Sequence, residues 1–248
     1  MQLLRRFFTM TGLLALFTLV GACGSTSSSN DTAASTTATS VPAETTIPVD
    51  TTTSMAPTTT VVVDMQPAIW PAADVVFTTP EAAATDFLAQ VFGDGPVLGE
   101  FMAGDSRSGE FEVFATADGA IVGEARSVLF MRQLGADDGW FVLAAGNETA
   151  TITSPASMAT VPTGPLAVSG EASGFEATIS ISAFIAGDET RLDQQIAMAG
   201  NFGELLPYST TLDLSAAQPG DIVVLLTIGT TGLETDPGTF SAIPVVIG

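Results

Sequence analysis

The sequence predicts a small α+β domain followed by an all-β sandwich, with a disordered Ser/Thr-rich tether before both. Three observations carry this. Ser and Thr fill 20 of the 37 residues in 24–60. A single helix-start signal, Thr79-Pro80, precedes a set of alternating runs, and from residue 154 onward short apolar runs recur between turn signals with no segment of helical period. With the front of a 248-residue chain given over to low complexity, the remainder suits two domains, at residues 67–153 and 154–248.

Residues 1–22 read as a secretory signal peptide: Arg5 and Arg6 open it, residues 7–22 carry no charge, and small residues precede Cys23. "VGAC" resembles the lipobox of bacterial lipoproteins. That resemblance implies that the Cys23 thiol receives a diacylglycerol and becomes the new N-terminus. It also accounts for the only cysteine, since a lone thiol in a secreted chain is otherwise exposed to oxidation. Two acyl chains, at about 0.8 kcal/mol per buried methylene, anchor stably where one is marginal. The expected location is the extracytoplasmic face of a bacterial membrane. Residues 23–66 then form the tether, too poor in apolar residues to offset the entropy of ordering. Fully stretched it reaches about 140 to 150 Å.

In the first domain, "TTPEAAATDFLAQVF" is a helix with Thr79 as N-cap and Pro80 at its first position. Ala84, Phe87, Leu88 and Val91 share one face, and "GDG" at 93–95 stops it. "EFEVFA" (110–115), "RSVLFMRQL" (126–134) and "WFVLAA" (140–145) read as strands, with Asp118-Gly119 and Asp138-Gly139 as turn signals between them. One helix on a small antiparallel sheet is the economical result. The loop "GDSRSGE" (104–110) allows two readings. Arg107, with Asp105, could meet a carboxylate or sugar on a partner; or the loop is a turn in which Asp105 or Ser106 bonds its own backbone and Arg107 offsets nearby acids. Arg126 and Arg132 share a strand face with Val128 and Phe130, and their stems cover its edges. Trp70 and Trp140 could stack on sugars but read better as core.

In the second domain, strands are expected at 166–172, 176–186, 193–199, 208–215, 221–229 and 240–247, with a first one near 158–161. About seven short strands in some 95 residues make a sandwich. The stretch "SPASMATVPTGPLAVSGEASGFEATISISAF" (154–184) resembles the opening of the immunoglobulin-like domain of bacterial spore germination proteins. Ser154-Pro155, Pro165-Leu166 with Val168-Ser169-Gly170, and Gly174-Phe175-Glu176-Ala177 carry the match. The first domain, with "TPEAAA", "GDSRSGE" and "GWFVLAA", is similar to a module that often precedes this sandwich in actinobacterial envelope proteins. Together these resemblances imply a surface lipoprotein with an immunoglobulin-like sandwich and no assigned catalytic residues.

The composition excludes much chemistry. The chain has no Lys and no His, and once Arg5 and Arg6 are cleaved away 4 Arg face 27 Asp plus Glu. Such a surface repels phosphate backbones and anionic headgroups, so nucleic acid is not expected as a partner. Without His, and with Cys23 lipidated, Ser-His-Asp, Cys-His and the usual zinc sites are out of reach. No Asp-x-Asp-x-Asp-Gly loop offers calcium a site. No catalytic residue, cofactor or metal is therefore expected. The expected function is non-enzymatic binding or scaffolding at the cell envelope, toward wall polymer or another envelope protein. The rivals are a glycan hydrolase built on two carboxylates and a transporter's substrate-binding lipoprotein.

Overall fold

The computed structural model describes residues 66–248 apart from 94, 202 and 234. The expected signal peptide, Cys23 and nearly all of the tether lie outside the described residues.

The helix forms where its signals stand. In α1 (Pro80–Phe92) the Thr79 hydroxyl accepts the Ala82 N–H at 3.2 Å and Pro80 opens the first turn. Gly93, at φ 76°, ends it by donating its N–H to the Ala89 carbonyl. Ala83, Ala84, Phe87 and Leu88 form the buried face.

Four antiparallel strands follow: β1 (Val97–Ala103), β2 (Ser108–Ala117), β3 (Ala120–Leu134) and β4 (Gly139–Gly146). Asp118 and Gly119 join β2 to β3 with φ of 52° and 77°, the left-handed pair that a two-residue hairpin of matching twist demands. Asp138 is also left-handed, but Gly139 already belongs to β4, so that loop is longer than its dipeptide suggests. The sequence reading has no counterpart to β1.

The remaining strands are β5 (Thr160–Val161), β6 (Pro165–Gly174), β7 (Thr178–Ile185), β8 (Arg191–Met198), β9 (Gly200–Asn201), β10 (Leu206–Asp213), β11 (Ile222–Gly229) and β12 (Thr239–Ile247). Six of them fall on the expected runs, β5 lies in the expected first strand, and β9 is new. They build a small sheet, β10-β6-β9, packed on a large one whose order is β1-β2-β3-β4-β12-β11-β7-β8, with β5 parallel to β12. The fold is mostly β and sandwich-like, with one short α-helix.

The sheet of the first half and the main sheet of the second, expected as separate, are one sheet. Ala145 of β4 pairs with Ala242 of β12, the Ser127 hydroxyl donates to the Phe240 carbonyl at 2.9 Å, and Asn147 N–H donates to the Ser241 hydroxyl at 2.9 Å. The central strands are consequently covered on both faces. Ile179, Ile181, Val223, Leu225, Val245 and Ile247 face the small sheet, while Phe184, Val224, Leu226, Phe240 and Ala242 share a core with Phe87, Leu88 and Trp70 on the helix side. A strand buried on both faces has no place for polar alternation, hence "VVLL" at 223–226.

Two details explain residues that carry the family resemblance or close the sandwich. A Cβ on Gly170 would overlap the Thr151 carbonyl oxygen, because the 149–154 segment runs antiparallel against β6 and hydrogen-bonds to it. The only tyrosine, Tyr208, is buried between the sheets. Its phenol donates to the Thr151 carbonyl at 2.9 Å, so the Thr227 hydroxyl donates to it at 2.7 Å. Burial holds the phenol's pKa above its ordinary value. Tyr208→Phe strands a fully buried Thr227 hydroxyl and is expected to lower stability by about 1–3 kcal/mol. Urea denaturation of the variant against the parent measures this.

Candidate functional site

The loop holding Asp105 and Arg107 is a closed turn. The Asp105 carboxylate accepts the Arg107 N–H at 2.8 Å, and this backbone bond, the largest cause, holds its pKa below the ordinary carboxylate value. The Ser108 hydroxyl accepts the Asp105 N–H. Arg107 reaches across the β3–β4 hairpin to Asp138 in an exposed ion pair and also donates to the Gln133 carbonyl. Both residues are thus brought together by the turn, with the Arg107 charge already matched by a carboxylate.

Two other arginines, Arg126 and Arg191, have structural partners that their sequence positions do not disclose. Arg126 makes a two-pronged pair with Asp236, at 2.8 and 2.7 Å, with the side chains 19% and 8% exposed. This pins β3 to the loop before β12 across 110 positions of chain. No local pattern signals such a pairing. Arg191 of β8 stacks over the Phe184 ring and donates to the Val91 carbonyl in the last turn of α1. A cation there suits the negative end of the helix dipole, although burial lowers its pKa. Trp70 and Trp140 are core residues, buried to 4% and 8%, and the Trp70 indole donates to Asp86 of α1 at 2.8 Å.

What remains open is a sheet face. In β3, Ser127, Leu129 and Met131 are buried, so Val128, Phe130 and Arg132 point to the opposite side. The small sheet covers that side over β7, β11 and β12, and no residue of β1–β4 joins the core beneath it. Beyond its margin two adjoining grooves, of about 490 and 320 Å³, run over β1–β4 and share Phe130 and Glu110. Val128, Ile152 and Ile243 line the first; Met102, Leu143 and Arg132 line the second. Glu110 and Glu148 bring carboxylates to this floor, and Phe130 and Met102 are 39% and 46% exposed. The surface is apolar with acidic points, able to take up extended or flat partners and offering no enclosed chamber for a small substrate.

No group of three or more potential metal ligands occurs among the described residues. Asp188, Asp193 and Asp213, like Asp105, have pKa values below the ordinary one. The leading cause is the Thr190 N–H for Asp188, the Asp213 N–H for Asp193 and the Ser215 hydroxyl for Asp213.

No curated protein and no solved structure matches the chain significantly. A family match does appear, and it begins at the segment that pairs with β6 and stops before β12. Residues 149–229 match the family described as the immunoglobulin-like domain of bacterial spore germination.

Proposed function

We propose that this chain is a non-enzymatic binding or scaffolding module of the bacterial cell envelope, held to the outer face of the membrane by lipid on Cys23 and set off from it by the tether. The observation that carries the reading is the open sheet face beside the immunoglobulin-like domain, a broad apolar surface with carboxylates rather than a deep cleft.

The test is fractionation and co-sedimentation of the full chain with purified sacculi and, separately, with solubilised envelope proteins, with and without calcium. Saturable retention on one of these without release of glycan is expected, and Cys23→Ser is expected to move the chain from the membrane to the soluble fraction. Glycan release that disappears on substitution of single carboxylates would replace this reading with that of a hydrolase.

A further inference from the structure

The large sheet ends in two edges, and they are not equivalent. At the β8 edge the Asp193 carboxylate accepts the Asp213 N–H at 2.8 Å, and β10 packs alongside, so the neighbouring sheet shields it. At the β1 edge no neighbouring sheet gives such cover among the described residues. Among the described residues β1 hydrogen-bonds as a strand with β2 alone, and residues 100–103 are all exposed. Its sequence, "VLGEFMA", contains neither Lys nor Pro, and what guards the edge is acidic and local: a bulge at Gly99 and Glu100 and the Glu100 charge itself.

The two faces of this edge differ in chemistry. Phe101 turns toward the helix side, where its ring lies 5.0 Å from that of Phe111 and 5.7 Å from that of Trp140, yet it remains 37% exposed. On the other face the register shifts between Leu98 and Phe101, so that Gly99 and Glu100 together oppose Glu112. Glu110 stands one row away, between Met102 and Phe130. Three carboxylates therefore share the outer face of two adjacent strands, an arrangement in which like charges repel. Arg107 and Arg126 are committed to Asp138 and Asp236, and Arg132, opposite Ser108, forms no ion pair among the described residues.

We propose that the β1 edge receives an added strand from a partner protein, and that this strand alternates apolar and basic residues. Added antiparallel or parallel to β1, it would take the free backbone groups of the edge. Its apolar side chains would cover the exposed flank of Phe101, and its Lys or Arg side chains would sit beside Glu100, Glu110 and Glu112. Period-two alternation suits an edge with the Phe101 flank on one face and, on the other, three carboxylates set among Met102, Phe130 and Arg132. The charge also disfavours a second copy of this chain as the occupant, since the same three carboxylates would meet their own kind and each chain carries a net charge of −21. The inference rests on the envelope-module reading and names the part of the surface that does the binding.

The probe is a fluorescein-labelled peptide, acetyl-Lys-Val-Lys-Val-Lys-Val-Lys-amide, titrated into the full chain at physiological ionic strength and followed by anisotropy, with amide exchange read on the same complex. Expected are saturable binding and slowed exchange within residues 97–103. Two N-methylated peptides, one modified on the three valines and one on the four lysines, keep the side chains while each blocks one edge of the strand, and binding should weaken at least tenfold with the one whose blocked edge faces β1. A loss of similar size is expected when Glu replaces Lys in the peptide, and with Glu100→Gln/Glu112→Gln in the protein. No binding, unchanged binding of both N-methylated peptides, unchanged binding to the double variant, or slowed exchange at β8 instead would each overturn the proposal. Retention by envelope fractions together with any of these failures would leave the module reading in place and remove only the β1 edge from it.

Discussion

Residues 149–229 produced alone, the span that matches the immunoglobulin-like family, are expected not to fold. The span ends at Gly229, the last residue of β11, and so lacks β12, which lies between β11 and β4 in the middle of the large sheet. Eight register pairs join β11 to β12, and without them the β11 backbone becomes an open edge in what was the centre of the sheet. Phe240, Val245 and Ile247 of β12 are at most 1% exposed. Their removal forfeits about 5–9 kcal/mol of apolar burial, at roughly 1.5–3 kcal/mol each, against a total stability of about 5–15 kcal/mol for an ordinary domain. The same fragment also uncovers Phe184, Val224 and Leu226, whose cover comes from the helix side. Circular dichroism without a cooperative thermal transition, together with dye binding to exposed apolar surface, is the expected result. A cooperative transition in this fragment would show that the central strands do not need their second layer.

Phe240→Ala is expected to destabilise both halves together, by about 3–5 kcal/mol. The Phe240 ring is fully buried, 4.4 Å from the Phe92 ring at the end of α1, and packs in the core that also holds Trp70 and Trp140. Its strand simultaneously pairs with β11 of the sandwich. For a folded part of this size the loss corresponds to a fall of roughly 10 °C in Tm. Both tryptophans sit on the helix side, whereas Tyr208 lies in the sandwich. Denaturation followed by tryptophan fluorescence and by amide exchange of β6, β7 and β10 therefore reads the two sides independently. Coincident transitions, shifted equally by Phe240→Ala, are expected. A shift in fluorescence alone would mean that the two cores unfold separately despite sharing a sheet.

The elements that could be read in advance are those whose signals are local. Thr79, Pro80 and Gly93 mark α1 because capping and the proline ring act within one turn. Asp118-Gly119 marks a hairpin because only such residues accept two successive left-handed conformations at little cost. The alternation of Phe111, Val113 and Ala115 marks β2 because one of its faces is buried. By contrast β1, which carries the proposed docking edge, escaped notice: Gly99 and Glu100 at its bulge break the alternation that would have disclosed it. The candidate loop was legible as a turn from Asp105, but the partner of Arg107 lies 31 positions away, and that of Arg126 lies 110 away. A pattern of a few residues carries no information about such distant carboxylates.

By itself, then, the sequence determined the helix and its ends, the strands of the sandwich, and the resemblance of residues 154–184 to an immunoglobulin-like domain. Those follow from composition and from short-range rules. Only the tertiary structure decided that the halves share one sheet, that Phe184, Val224, Leu226 and Phe240 close the core of the helical half, and that the open face and the open edge fall over β1–β4. The physical reason is that a run such as "VVLL" declares two buried faces but not what buries them. The identity of each covering layer depends on contacts between segments far apart in the chain, which local periodicity does not encode.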